Sequence, residues 1–132
     1  LGCHDSGRVM DRLTYDNQVF GGITMGIGLA MTEERILDRD QTGKMVNKNL
    51  HDYKLPTSLD VPGEMTSLPI EKPDDTANTI GAKGLGEPVT IPTAAAVANA
   101  VYDAVGLRMT GSPMTPLRLC PALEKSAKEV SE

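Results

Sequence analysis

Small residues recur every fourth position along an otherwise helical stretch, at Gly22, Gly26 and Ala30. Val19, Ile23, Ile27 and Ala30 fall near one face at spacings of three and four, which predicts a helix from about Asp16 to Glu34. A glycine inside a helix costs about 1 kcal/mol relative to alanine, so a smooth strip needs a compensating contact. Two compensations are open. A second helix can pack closely on the strip, or the helix start can approach an anionic group with its free N–H groups. Both can hold at opposite ends of the same helix.

A second helix is legible further on. Pro92 suits a first turn, and Thr90 or Thr93 can cap it. Val97, Val101 and Val105 supply an apolar stripe, and Gly106 is a natural stop. Residues 3–12 read as a strand ending in a polar turn at Asp11-Arg12. Residues 35–46 read as a β-hairpin turning at 40–43, and 66–70 as a short strand. A short helix is expected from Pro116 to Glu124, with a frayed charged end from Lys125 to Glu132. The fold class is therefore α+β, with two main helices, short strands and long loops.

Composition limits how well such a fold stands alone. The 132 residues include 13 Gly and 9 Pro but no Trp and one Phe, so the core rests on aliphatic side chains and 7 Met. Aromatic side chains carry the largest burial per residue, and their scarcity predicts a modest core that leans on neighbours. A net charge of −5 argues against nucleic acid as a partner. No apolar run approaches the length of a spanning helix. Cys3 and Cys120 are too few for a disulfide framework, and two free thiols in the cytoplasm are expected, with the periplasm as the alternative.

The candidate chemistry centres on Gly81-Ala82-Lys83-Gly84-Leu85-Gly86-Glu87-Pro88. Gly81, Gly84 and Gly86 let the backbone turn sharply and approach a ligand. Pro88 pushes Glu87 toward an extended conformation, which pins a carboxylate at the end of the loop. A carboxylate held this way suits a general base. No Gly-Lys-Ser/Thr follows, so the loop is not a nucleotide P-loop. Lys83, four residues before Glu87, is placed either to lower that acid's pKa, to bind an anionic group, or to be simply solvated. Other clusters carry less. Cys3, His4 and Asp5 are adjacent on a strand and point to alternate faces, so they do not share a metal easily. His51-Asp52 has no nucleophile motif beside it and reads as structural. Glu33-Glu34 at a helix end has Arg35 as an obvious partner and otherwise reads as a solvated surface.

The loop resembles the C-terminal signature of the molybdenum hydroxylases, the xanthine dehydrogenase and aldehyde oxidase family. The likeness extends along the chain in family order. His4-Asp5-Ser6-Gly7-Arg8-Val9 is similar to the family's acidic-glycine strand and turn, and residues 18–28 to its Gln-x-x-Gly-Gly segment. Asn49 to Thr57 with Asp60-Val61-Pro62 resembles its Asp-Tyr-x-x-Pro-Thr … Asp-x-Pro segment. Residues 93–106 resemble its Ala-rich helix and 113–119 its Pro-x-Thr-Pro tail.

The resemblance implies that residues 1–132 are a C-terminal segment of a molybdopterin-binding domain, as a fragment or a split subunit. It implies Glu87 as the catalytic base, taking a proton from a molybdenum-bound hydroxide that attacks an aldehyde or N-heterocycle. It further implies that Gln18 contacts the pyranopterin, and that Lys83, Gly84, Leu85 and Gly86 pass close to the molybdenum end. The implied cofactor is molybdopterin carrying Mo, in its cytosine dinucleotide form. Iron–sulfur clusters and FAD would sit on partner chains or domains, alongside the remaining part of the molybdenum subunit. Two departures stand out: Asp11 where Asn is common, and Asn78-Thr79-Ile80 where Gly-Pro commonly precedes the signature. The rival expectation is a non-catalytic structural or assembly piece of such a complex.

Overall fold

The computed structural model describes residues 1–130. Along the chain run β1 (Gly2–Gly7), α1 (Arg12–Met31), β2 (Ser67–Glu71), a single 3-10 turn (Glu87–Val89), α2 (Ile91–Val105) and α3 (Pro116–Val130). β1 and β2 pair in parallel, with Gly2 opposite Ser67 and His4 opposite Pro69, and the register slips between His4 and Gly7. Parallel strands need a long crossover. Here α1 and the irregular 32–66 stretch supply it.

α1 starts at Arg12, four residues earlier than the apolar pattern suggests. The reason is its cap: the Asp11 carboxylate accepts the Thr14 N–H at 2.8 Å. Asp is among the best residues at that position. Arg12 then pairs with Asp16 one turn on, at 2.8 Å. The small-residue strip faces α2. A Cβ built on Gly22 would lie 2.9 Å from Val89 Cβ, and one on Gly26 only 2.3 Å from Thr93 Cβ. Close helix contact therefore explains the strip where it meets the 3-10 turn and α2. Gly2 does the same for β1, since a Cβ there would lie 2.5 Å from Val19.

This contact predicts a size swap. Gly26→Ala is expected to lower stability of the assembled protein by about 1–3 kcal/mol through overpacking. Thr93→Gly in the same molecule should recover part of that loss, because it removes the colliding atoms. Melting temperatures of both single variants and the double variant check it, and simple additivity would rule the contact out.

The remaining elements differ from the sequence expectation in instructive ways. Residues 35–46 form the expected turn, with Asp38 accepting from the Gln41 and Thr42 N–H groups, but only one antiparallel bridge, Leu37 to Met45, joins the arms. Ile36, Leu37 and Val46 are exposed, so no buried face extends the pairing. α3, the short third helix expected from Pro116, runs to Val130 rather than ending at Glu124 and fraying from Lys125. Ser131 and Glu132 lie outside the described residues. Among the described residues, α3 packs on none of the other elements. Arg118 anchors it, pairing with Glu34 and donating to the Ser112 carbonyl at 2.8 Å. Glu34 thus pairs with Arg118 rather than Arg35, and Glu33 accepts the Tyr53 hydroxyl at 2.9 Å. That carboxylate pushes the Tyr53 hydroxyl's pKa upward.

The core is as small as the composition predicts. Tyr15, Val19 and Val89 are buried together, with Val9, Phe20, Ile23 and Leu85 partly buried around them. α2 has no buried residue at all. Ile91 and Leu117 are 77% and 88% exposed, and apolar surface of this kind marks faces made for contact.

Candidate functional site

The Gly81–Pro88 loop is clasped by the end of β1. Arg8 N–H donates to the Gly81 carbonyl at 2.9 Å, and Lys83 N–H to the Ser6 carbonyl at 2.7 Å. The fit is close: a Cβ on Gly7, whose φ is +69°, would lie 2.3 Å from the Gly81 oxygen. The Asn78 side chain shapes the loop's approach, accepting from the Gly81 N–H and donating to the Ala82 carbonyl. It occupies the stretch where the family's Gly-Pro is missing.

Lys83 is turned away from Glu87. Its ammonium lies 2.6 Å from the Asp5 carboxylate, which also accepts the Gly7 N–H at 2.9 Å. The Lys83 bond, and after it the Gly7 N–H, hold the Asp5 carboxyl below its ordinary value of 3.8. The folded pKa is depressed, so this pair's contribution to stability is fully present above that value and is lost as pH falls through the lowered one. Lys83 offers neither a free N–H nor a free ammonium within this chain.

Past Lys83 the loop opens. The amides of Gly84, Leu85 and Gly86 donate to nothing among the described residues. A Cβ on Gly84 would meet no atom within 4 Å. Gln18 stands beside this stretch, its carboxamide oxygen 3.7 Å from where a Gly86 Cβ would be. It is exposed and its side chain has no hydrogen-bond partner among the described residues. Because α1 begins at Arg12, Gln18 sits in its second turn and not at the helix start.

Glu87 does not take the extended conformation expected ahead of Pro88: it opens the 3-10 turn, whose closing Thr90 N–H donates to the Glu87 carbonyl at 2.8 Å and outweighs the local preference. Glu87 is exposed, so the shielding from water expected of a general base is not provided by the described residues. The site residues divide between two clefts. Gln18, Lys83 and Leu85 line one of about 180 Å³, with Ser6, Arg8 and Asp11. Glu87 lines another of about 510 Å³, with Glu33, Met25, Leu29 and Ile91. Gly86 links the two along the chain. At the start of α2, Thr90 makes no side-chain cap, and its hydroxyl is buried without a partner. Thr93 instead donates to the Val89 carbonyl at 3.2 Å.

Asp5, Ser6 and Arg8 hold the loop in place, a contact that sequence reasoning did not assign to the motif at residues 4–9. Their signal was an acid two residues before a glycine, a pattern that favours a side-chain-capped turn.

Comparison with known proteins decides the family. Residues 1–62 match a molybdopterin cofactor-binding domain. The xanthine dehydrogenase molybdenum-binding subunit of Escherichia coli O157:H7 is 45% identical over 120 residues, which cover 90% of this chain and 15% of that one. The chain belongs to the molybdenum hydroxylase family. The aldehyde oxidoreductase molybdenum-binding subunit of Escherichia coli K12 is 36% identical over 83% of this chain and 15% of its own length. Among solved structures, quinoline 2-oxidoreductase from Pseudomonas putida 86 superposes with a TM-score of 0.81 at 31% identity, over 93% of this chain and 16% of that one. The molybdenum hydroxylase chain described here thus spans about 15% of the curated relatives it matches. Among the described residues no helix is long and apolar enough to cross a membrane.

The residues present fit a molybdenum pterin. Three adjacent open amides and an unpartnered carboxamide are donors suited to the carbonyl-rich, anionic rim of such a group. A glycine backbone with no side chain above it leaves room for close approach.

Proposed function

We propose that this chain supplies part of the cofactor cradle and the catalytic base of a molybdenum-dependent oxidoreductase that hydroxylates an aldehyde or an N-heterocycle. The observation that carries the reading is the run of open amides at Gly84, Leu85 and Gly86 leading directly into the Glu87 carboxylate, with Gln18 alongside. The names of the relatives support it, since they are molybdenum-binding subunits of xanthine- and aldehyde-oxidising enzymes.

When bound, the molybdenum cofactor supplies the two-electron redox chemistry and the place where water is activated. The open amides and the Gln18 carboxamide hold its acceptor atoms. Glu87 takes up the proton released as water-derived oxygen is delivered to the substrate carbon. Pro88 limits its backbone freedom, so the carboxylate needs little reorganisation. Glu87 is exposed here, so the remaining part of the molybdenum subunit closes over it and excludes water. The cytosine dinucleotide form of the cofactor is the form we propose, with electrons leaving through iron–sulfur clusters to FAD on partner chains or domains. A relative named as a dehydrogenase complex subunit and another named as a large subunit favour a multi-subunit assembly.

Gln18→Ala tests the cradle. A neutral hydrogen bond is worth about 0.5–1.5 kcal/mol, so cofactor affinity should fall about tenfold or less. The side chain is exposed, and the melting temperature should hardly move. Molybdenum and pterin content per assembled complex is the measurement, taken beside thermal melting. Full occupancy with a lowered melting temperature would instead make Gln18 a helix-stabilising residue.

A further inference from the structure

We infer that Asp5 is a positioning residue for this site, acting through Lys83 to set the place of the open amides and of Glu87. The inference rests on the proposed reading of the loop. Asp5 and Lys83 are 78 positions apart in sequence, yet their charged groups meet at 2.6 Å. One carboxylate does two jobs. Its Oδ1 accepts the Gly7 N–H at 2.9 Å and its Oδ2 accepts from the Lys83 ammonium. It therefore ties the tight turn that ends β1 to the last anchored residue of the loop. Beyond Lys83, the stretch up to Glu87 is held by Leu85, partly buried against the core, and by the 3-10 turn that packs on α1 and α2. Around Gly84 the restraint is thinner, a 3.4 Å contact between His4 Nε2 and the Gly84 carbonyl.

Both partners are about one-third exposed, at 34% each, so the ion pair adds little to global stability. Its effect is local. Lys83 is fixed at two atoms, its backbone N–H on Ser6 and its ammonium on Asp5. Releasing the ammonium leaves the Lys83 main-chain bond and the packing of Leu85 as the remaining anchors, between which the Gly84 amide can shift. Catalysis is sensitive to such motion, since a shift of about 1 Å in a reacting group can cost up to about a hundredfold in rate.

The test is a double-mutant cycle in the assembled, molybdenum-containing complex, with Asp5→Asn, Lys83→Met, the double variant and Glu87→Gln. Asparagine keeps an acceptor for the Gly7 N–H, so Asp5→Asn removes the charge pair alone. Turnover is measured per molybdenum with xanthine and with benzaldehyde against a dye acceptor. The Mo(V) paramagnetic resonance line shape and the melting temperature are recorded beside it. Each single variant should lose about five- to tenfold in kcat with KM little changed. The resonance line should shift or broaden in both, the melting temperature should stay put, and the double variant should be no worse than the weaker single.

Normal kcat in the single variants, multiplicative losses in the double, or losses that merely follow a fall in melting temperature would each overturn the role of Asp5. If Glu87→Gln keeps full turnover, the reading of the site itself fails and this inference goes with it. If Glu87→Gln is inactive while Asp5→Asn and Lys83→Met are normal, only the positioning role is lost.

Discussion

Glu87→Gln is expected to leave the complex assembled and molybdenum-loaded while lowering turnover by about two to four orders of magnitude. Glutamine keeps the size and shape of the side chain but does not accept a proton at neutral pH. The Glu87 side chain makes no hydrogen bond or ion pair among the described residues, so the substitution removes no structural contact. Its backbone carbonyl still accepts the Thr90 N–H at 2.8 Å. Fold and base are thus separable at this position. Molybdenum content, pterin content and melting temperature should all match the parent protein, and only kcat and kcat/KM should fall together. Turnover close to normal in a molybdenum-replete variant would remove Glu87 from the role of base. Lost molybdenum with lost turnover would instead assign the carboxylate to cofactor retention.

What the sequence made legible was set by how local the physics is. The Gly22–Gly26–Ala30 strip announced a helix contact because glycine in a helix is costly without one. It came true against Val89, Thr90 and Thr93. Gly106 stops α2 in a left-handed conformation at φ 71°, as its position suggested. The errors came from partners remote in sequence. Glu34 faced a nearby Arg35 on paper, but Arg118 reaches it from 84 residues away. Lys83 looked available to Glu87, four residues along, yet Asp5 at the other end of the chain holds it. The hairpin at 35–46 is present only as a turn and one antiparallel bridge, because periodicity does not reveal whether a face will be buried, and here it is not. For the site, the tight glycine loop was readable as geometry but the backbone of Glu87 was not, since it opens a 3-10 turn where an extended residue was expected, and the cofactor and the family came from resemblance and comparison. The exposure of Glu87 was not readable, because among the described residues nothing covers it.

Gly7→Ala is expected to be among the most damaging single-atom additions available to this chain. A left-handed conformation costs an L residue about 1–2 kcal/mol, and Gly7 sits at φ +69°. The added Cβ would also lie 2.3 Å from the Gly81 oxygen and 3.2 Å from the Lys83 amide nitrogen. Both are backbone atoms, so no side chain can swing aside to relieve the collision. Relief requires β1 and the loop to separate, which breaks Arg8 N–H to Gly81 and Lys83 N–H to Ser6 together. Strain and overpacking alone sum to about 2–5 kcal/mol. The same movement carries Gly84 through Glu87 out of place, so molybdenum occupancy and turnover should collapse along with stability. Gly63→Ala is the matched control, since a Cβ there meets no atom within 4 Å and its φ is not positive. It should be neutral in melting temperature and in molybdenum content. A Gly7→Ala complex that melts like the parent and carries full molybdenum would mean that β1 and the loop are not locked together as described.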